Sequence, residues 1–422
     1  MPKTWGGVSC LSGKKRKFVS LSEKEEISYF INPEARQGKP AEALTTPFSL
    51  SVSEAVRSFH GTFPGYKPTP LVRLDRLARK LKVAHIWIKD ESHRFGLNAF
   101  KVLGASYALA WLVARRLNLG DNALSFALLD SADIRERLRD ITFTTATDGN
   151  HGRAVAWVAQ RLGARAVVYL PRGSCHARFE AISQHGAQTS IIDGNYDDAV
   201  HFAAEQAQKH GWTLVQDSSW EGYEEIPTRI IQGYLTILHE ALEQLGGELP
   251  SHVFVQCGVG SLASAVQAYL VELFGTERPK SIIVEPEGAS CFYRSMSIND
   301  GNPHKISGDL NTIMAGLACG EPGLLAWKIL RSYADVFVTC SDSVTIKGMR
   351  ILANPLADDD KVVSGESGAV TTGLVACLIG DARYREIAES LKITRESKIL
   401  LISTEGDTDP DMYQRIVSSD PA

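Results

Sequence analysis

The sequence predicts an α/β protein with two parallel-sheet, three-layer domains, the smaller inserted in the larger. Three observations predict it. Between residues 141 and 216, short β-branched runs alternate with helical stretches that end in glycine. Three such strand–helix repeats, roughly 23 residues apart, make successive βαβ units and so a parallel sheet. The same alternation resumes after a long apolar helix near 227–245, with strand-like runs at 252–256, 281–285, 335–339 and 398–403. Right-handed crossovers then place helices on both faces of each sheet.

Taken in order, residues 1–50 read as polar and irregular, with Pro33, Pro40 and Pro47 as breakers. The one basic cluster, Lys14-Lys15-Arg16-Lys17, reads as a solvated arm. A strand over 84–89 leads through Ser92-His93-Arg94-Phe95-Gly96-Leu97-Asn98-Ala99-Phe100 to Lys101, which opens an apolar helix over 102–113. Strands at 141–145, 166–170, 189–192 and 212–216 alternate with helices at 151–162, 175–185 and 197–210, which Gly163, Gly186 and Gly211 stop. These boundaries place a small domain at 122–222 and a larger one at 1–121 plus 223–422.

Composition narrows the function. The chain has 422 residues, 44% hydrophobic and 22% charged, an ordinary globular balance with ample core material. A net charge of −4 gives no reason to invoke nucleic acid or an anionic membrane. The N-terminus lacks the apolar stretch of a signal peptide, and no run reads as a membrane span, so the expected location is the cytoplasm. The 7 cysteines are scattered, without zinc-ligand spacing, and point to a reducing compartment and no metal site. A Cys291–Cys319 bridge rests on moderate separation alone.

Three local patterns carry chemistry. Lys101 lies at a strand-to-helix junction against much apolar surface. Burial there lowers an ammonium pKa, and a neutral amine attacks carbonyls to form a Schiff base; a snorkelling lysine is the plainer reading. After the 252–256 strand comes Cys257-Gly258-Val259-Gly260-Ser261-Leu262-Ala263, a glycine turn into a helix, which suits a phosphate. With Glu285 at the end of the following strand, the same loop also matches a dinucleotide fingerprint. After the 141–145 strand, Thr147-Asp148-Gly149-Asn150-His151-Gly152 opens a second helix, suited to a carboxylate or a ring hydroxyl. Plain helix capping by Asp148 or Asn150 is its simpler role.

Together these stretches resemble the β-family (fold type II) of pyridoxal-phosphate enzymes. Within it they are similar to the diaminopropionate ammonia-lyases. The resemblance also runs through Gln216-Asp217-Ser218-Ser219-Trp220-Glu221-Gly222-Tyr223, Thr312-Ile313-Met314-Ala315-Gly316-Leu317-Ala318-Cys319-Gly320-Glu321-Pro322, Ser364-Gly365-Glu366-Ser367-Gly368-Ala369 and Ile402-Ser403-Thr404-Glu405-Gly406-Asp407. It implies that Lys101 carries pyridoxal 5'-phosphate and that Gly258, Val259, Gly260 and Ser261 bind its phosphate. Asn150 is then placed at the ring hydroxyl, and Thr404, with Ser403 as its competitor, at the pyridine nitrogen. A neutral hydroxyl there favours β-elimination over transamination.

The implied reaction is loss of ammonia from 2,3-diaminopropionate to give pyruvate and two ammonia. Lys101 is the expected base for the L-isomer and Asp148, on the opposite face, for the D-isomer. Asp217 is the candidate partner of the β-ammonium. The backbone N–H groups of Asp148, Gly149, Asn150 and His151 are the candidates for the substrate carboxylate. Glu285 and Glu366 are expected to line the pocket or to buttress the loops. The partners implied are a small amino-acid substrate and a second copy in a homodimer. The competing readings are a serine or threonine dehydratase on the same fold and an NAD-dependent dehydrogenase.

Overall fold

A computed structural model of the protein describes residues 27–37, 42–119 and 124–419; the basic run at 14–17 and Cys10 lie outside them. Eleven strands form two sheets among the described residues. They are β1 (Ile27–Ile31), β2 (Leu71–Arg73), β3 (His85–Asp90), β4 (Thr142–Ala146), β5 (Arg165–Leu170), β6 (Gln188–Ile191), β7 (Thr213–Leu214), β8 (His252–Gln256), β9 (Lys280–Pro286), β10 (Val336–Cys340) and β11 (Lys398–Ser403).

The smaller sheet has the order β6-β5-β4-β7 and is parallel throughout. The larger has the order β1-β10-β9-β8-β11-β3-β2. Its five inner strands are parallel, but both edge strands, β1 and β2, run antiparallel. The larger sheet is therefore mixed, where a parallel one was expected. Its extra edge comes from the segment read as irregular: β1 pairs with only one neighbour, so Tyr29 and Ile31 stay exposed although the run Ile27-Ser28-Tyr29-Phe30-Ile31 is apolar and aromatic at all but one position. That segment also holds a short helix at Glu42–Thr45, and the Leu50–Gly61 helix starts at its last residue. At the other extreme β7 keeps only two ladder residues, because Gln216 and Asp217 turn away toward other partners.

The inserted sheet shares a core with the larger one. Phe143 and Val168 belong to the same buried apolar cluster as Val253 and Leu400. The link is the Val102–Arg116 helix, which packs on both the Asn150–Arg161 and the Glu225–Gln244 helices. Its contact with the latter is unusually close. A Cβ added at Gly233 would lie 2.4 Å from the Leu103 carbonyl oxygen, and one at Gly104 would lie 2.6 Å from the Tyr234 ring. Only hydrogen side chains allow that approach. Buried His60 ties the same junction, with Nδ1 2.8 Å from Thr236 Oγ1 and Nε2 3.0 Å from the Leu103 carbonyl.

Behind β3 lies a buried charge cluster. Glu240 accepts from Lys89 Nζ at 2.7 Å and from both terminal nitrogens of Arg94 at 2.8 Å. Glu91 accepts from Arg94 Nε at 2.9 Å. Four fully enclosed charges are tolerable only because each is paired and hydrogen-bonded. The cluster fixes the segment leading to Lys101 against the Glu225–Gln244 helix. Cys175, Cys257, Cys291, Cys319, Cys340 and Cys377 are all free thiols, so the Cys291–Cys319 bridge does not form. No described helix is long and apolar enough to cross a membrane.

Candidate active site

The site forms where the C-terminal ends of β3, β8 and β11 face those of β4 and β7, the usual ligand position in open α/β sheets. Between β3 and Lys101 the backbone takes positive φ at Phe95 (50°), Gly96 (71°) and Asn98 (58°). Non-glycine residues rarely adopt this, and such turns cluster at functional sites. Neighbouring loops hold the turn in place. Asn98 O accepts from Gly406 N at 3.0 Å, Phe100 N donates to Thr404 O at 3.2 Å, and Arg153 Nη1 donates to Leu97 O at 2.8 Å. Residues from three distant parts of the chain thus frame one lysine.

Lys101 Nζ donates to Asp217 Oδ2. Burial works against its charge, as the sequence suggests. The facing charge of Asp217, helped by Tyr234 and Asp148, outweighs burial and raises the pKa above its ordinary range. That pairing favours the ammonium in the cofactor-free protein, where apolar flanks alone point to a neutral amine. Asp217 answers in kind: burial pushes its carboxyl up, but Lys101 brings it down to about 2. Tyr196 Oη also donates to Asp217 Oδ1 at 3.3 Å, and Gln216 Nε2 at 3.2 Å.

Lys101, Asp148, Asn150, Asp217, Gly258, Val259, Gly260, Ser261 and Thr404 line one cavity. Asp148 is half-buried; burial raises its pKa, against the pull of Lys101 and Arg178. Asn150 Nδ2 donates to Glu405 Oε2 at 2.5 Å. Thr404 Oγ1 accepts from Gln256 Nε2 at 3.0 Å, whereas Ser403 Oγ bonds Ser364 Oγ at 2.8 Å and is not among the lining residues. Of the two hydroxyls proposed for the ring nitrogen, only Thr404 reaches the cavity.

Other expectations change. His151 does not line the cavity; its Nε2 lies 2.8 Å from the Val215 carbonyl oxygen, and it packs as a core histidine. Gly149 N already donates to Thr147 Oγ1 at 2.9 Å, as does Gly152 N at 3.0 Å, so part of the donor set expected for a carboxylate is used within the loop. Glu285 accepts from Phe292 N at 2.9 Å and Tyr293 N at 2.7 Å. It caps a helix and is unavailable to a ribose, which removes the dinucleotide reading.

Sequence reasoning missed Tyr196, Tyr234, Gln256 and Glu405. Gln256 and Glu405 adjoin recognised motifs, so a strand-end rule could find them. Tyr196 and Tyr234 sit on helices with no local signal; only topology brings them in. The Tyr234 hydroxyl is buried and has no hydrogen-bond partner among the described residues.

A family model described as pyridoxal-phosphate dependent enzyme matches residues 62–404. A diaminopropionate ammonia-lyase of Salmonella typhimurium is 48% identical over 93% of this chain and 98% of its own length. The Escherichia coli (strain K12) enzyme of that name is 48% identical over 88% of this chain and 93% of its own. The chain belongs to the diaminopropionate ammonia-lyases, within the pyridoxal-phosphate dependent enzymes. Two solved structures of the Escherichia coli lyase agree in fold. One, in complex with D-serine, has a TM-score of 0.85 at 44% identity and covers 93% of this chain and 97% of that one. The other is a complex with an aminoacrylate-PLP azomethine reaction intermediate, with the same TM-score of 0.85.

The lyase family's cofactor fits the residues present. A side chain at Gly260 would come within 2.5 Å of Phe292, so the loop stays bare of side chains and its helix-start N–H groups remain open to a phosphate. Lys101 supplies the amine, Gln256 and Thr404 a neutral polar end, and the lone Tyr234 hydroxyl a donor facing the same cavity.

Proposed function

We propose that this chain eliminates ammonia from both L- and D-2,3-diaminopropionate, and that hydrolysis of the product by one water gives pyruvate and a second ammonia. The observation that carries the reading is the placement of Lys101 and Asp148, from separate loops, around one cavity in a chain 48% identical to lyases of that name. Pyridoxal phosphate, when bound, supplies the electron sink that stabilises negative charge at the substrate's Cα.

The chain's own residues do the rest. Gly258, Val259, Gly260 and Ser261 hold the phosphate, Thr404 the pyridine nitrogen and Asn150 the ring hydroxyl. Lys101 would hold the cofactor covalently, and its amine would take the Cα proton of the L-isomer. Asp148, half-buried and poised by Lys101 and Arg178, takes that of the D-isomer. While Lys101 is occupied, Asp217 loses its ammonium partner and offers a carboxylate to the substrate's β-ammonium. Segment 122–222 is the unit that closes over the substrate. The family resemblance further supports a homodimer, and the scattered cysteines of the sequence a reducing, cytoplasmic location.

Pyruvate release from L- and D-diaminopropionate, L-serine and L-threonine tests the reading. Turnover of both diamino acids well above the hydroxy acids is expected; preference for serine or threonine would make the protein a dehydratase instead.

A further inference from the structure

Arg178, on the His176–Ser183 helix, has a side chain only 10% exposed. Its nearest ionic partner is Glu366, with Nη2 3.9 Å from Oε2, too far for a hydrogen bond. No acceptor among the described residues lies within hydrogen-bonding reach of its guanidinium. Arg94 and Arg278, the buried arginines among the described residues, behave differently. Arg94 is saturated by Glu91, Glu240 and Thr69, and three nitrogen-to-carbonyl bonds hold Arg278 to Gly275, Ala35 and Tyr333. Glu405, Glu366 and Asp148 balance its charge from a distance and outweigh the cost of burial, but its N–H donors stay idle, and idle buried donors are costly unless an acceptor arrives to use them.

The place it occupies says which anion. Arg178 lines a cavity of about 110 Å³ with Asp148, Asn195, Tyr196 and Asp309. Asp148 and Tyr196 line the active-site cavity as well, so the two spaces adjoin. The arginine stem lies across Gly149: a Cβ built there would meet Arg178 Cδ at 3.0 Å. The guanidinium is thus tethered beside the loop whose own N–H groups at Gly149 and Gly152 are taken by Thr147. Diaminopropionate carries one anionic group, its α-carboxylate, and a planar guanidinium fork matches a carboxylate in two parallel hydrogen bonds.

We propose that Arg178 binds the substrate's α-carboxylate, completing a recognition site that the 147–152 loop supplies only in part. The assignment rests on the cavity being the substrate site of the reading above. Glu366, beside it and raised to about 7 by burial, yields the guanidinium at neutral pH more readily than an ordinary carboxylate would.

The test compares alanine with ethylamine, which differ only in the carboxylate. Each is titrated into cofactor-loaded wild type, Arg178→Gln and Arg178→Lys, and binding is followed by the cofactor's absorbance. The Gln variant should bind L- and D-alanine about 10- to 100-fold more weakly, the loss expected for a charge-assisted contact, with ethylamine unchanged. Arg178→Lys, which keeps the charge without the fork, should lose several-fold and serves if the Gln variant fails to load cofactor. Unchanged alanine binding, or an equal loss for both amines, overturns the proposal. So does a defect confined to turnover of the D-isomer, which would make Arg178 a partner of Asp148 alone. The elimination reading fails separately: wild type that binds alanine by this pattern but forms no pyruvate from diaminopropionate would reject the reaction and keep the arginine.

Discussion

At the scale of single residues, two carboxylates divide the work around Lys101. Replacing Asp148 with Asn removes a base and leaves the shape. Turnover of D-diaminopropionate should fall roughly 10²- to 10⁴-fold while the L-isomer is largely spared, read as pyruvate release from each isomer. Equal loss on both would dismiss Asp148 as a stereospecific base. Asp217 acts on the lysine itself. Its pKa sits near 2, below its ordinary value, and that of Lys101 sits above its own. Their pairing therefore stabilises the cofactor-free fold at pH above an unfolded aspartate's ~4, and is lost as pH falls toward 2; at the alkaline end it persists to beyond an unfolded lysine's ~10. Asp217→Asn removes the partner and leaves burial to act alone. The lysine should then deprotonate at lower pH, and the pH profile of cofactor uptake by the cofactor-free protein should move downward. A profile that stays in place would show that Asp217 does not govern the amine.

At the scale of elements, the close crossing of the Val102–Arg116 and Glu225–Gln244 helices sets where Lys101 begins. Gly233→Ala forces a methyl group against the Leu103 carbonyl at 2.4 Å. Overpacking of this kind costs about 1–3 kcal/mol, and the shift should show as a lower melting temperature together with weaker cofactor retention. Melting alone, with retention intact, would uncouple the crossing from the site. Glu240→Ala should be worse, at about 3–5 kcal/mol, because Lys89 and Arg94 lose their shared counter-charge while staying buried; urea unfolding measures it. Most of these elements were legible in advance. β3, β8, β11 and the helices after Lys101 and Gly260 carry continuous apolar runs that periodicity detects. β1 and β2 were not: β1 finds its partner, β10, far along the chain, and β2 is only three residues long, too short for a periodic signal. The charge of Lys101 was misread for a related reason. Apolar flanks announce burial, but the aspartate that reverses its effect is 116 positions away. Arg178 gave no local sign at all.

For the whole molecule, buried neutral histidines make the fold sensitive to acid. Burial lowers the pKa of His60 to about 3, against an ordinary 6.5. Above pH ~6.5 neither state binds that proton. As pH falls below it the unfolded chain takes the proton up and the folded one does not, so stability declines continuously toward pH 3. One such group costs about 2 kcal/mol between pH 6.5 and 5. Chemical denaturation of wild type and His60→Gln at pH 7 and pH 5 should show a shallower pH dependence in the variant; identical slopes would assign the acid sensitivity elsewhere.

The strand order has a further outcome for how the protein comes into being. β11 sits in the middle of the large sheet, between β8 and β3, and carries Thr404 just past its end. A ribosome making this chain delivers β3 and β8 long before the strand that joins them. Until residue 403 emerges, two sticky half-sheets must wait with their inner edges bare, a time when chaperones have most to guard. The vitamin can be gripped only after that gap is filled, so its uptake doubles as a signal that synthesis has reached the final strand.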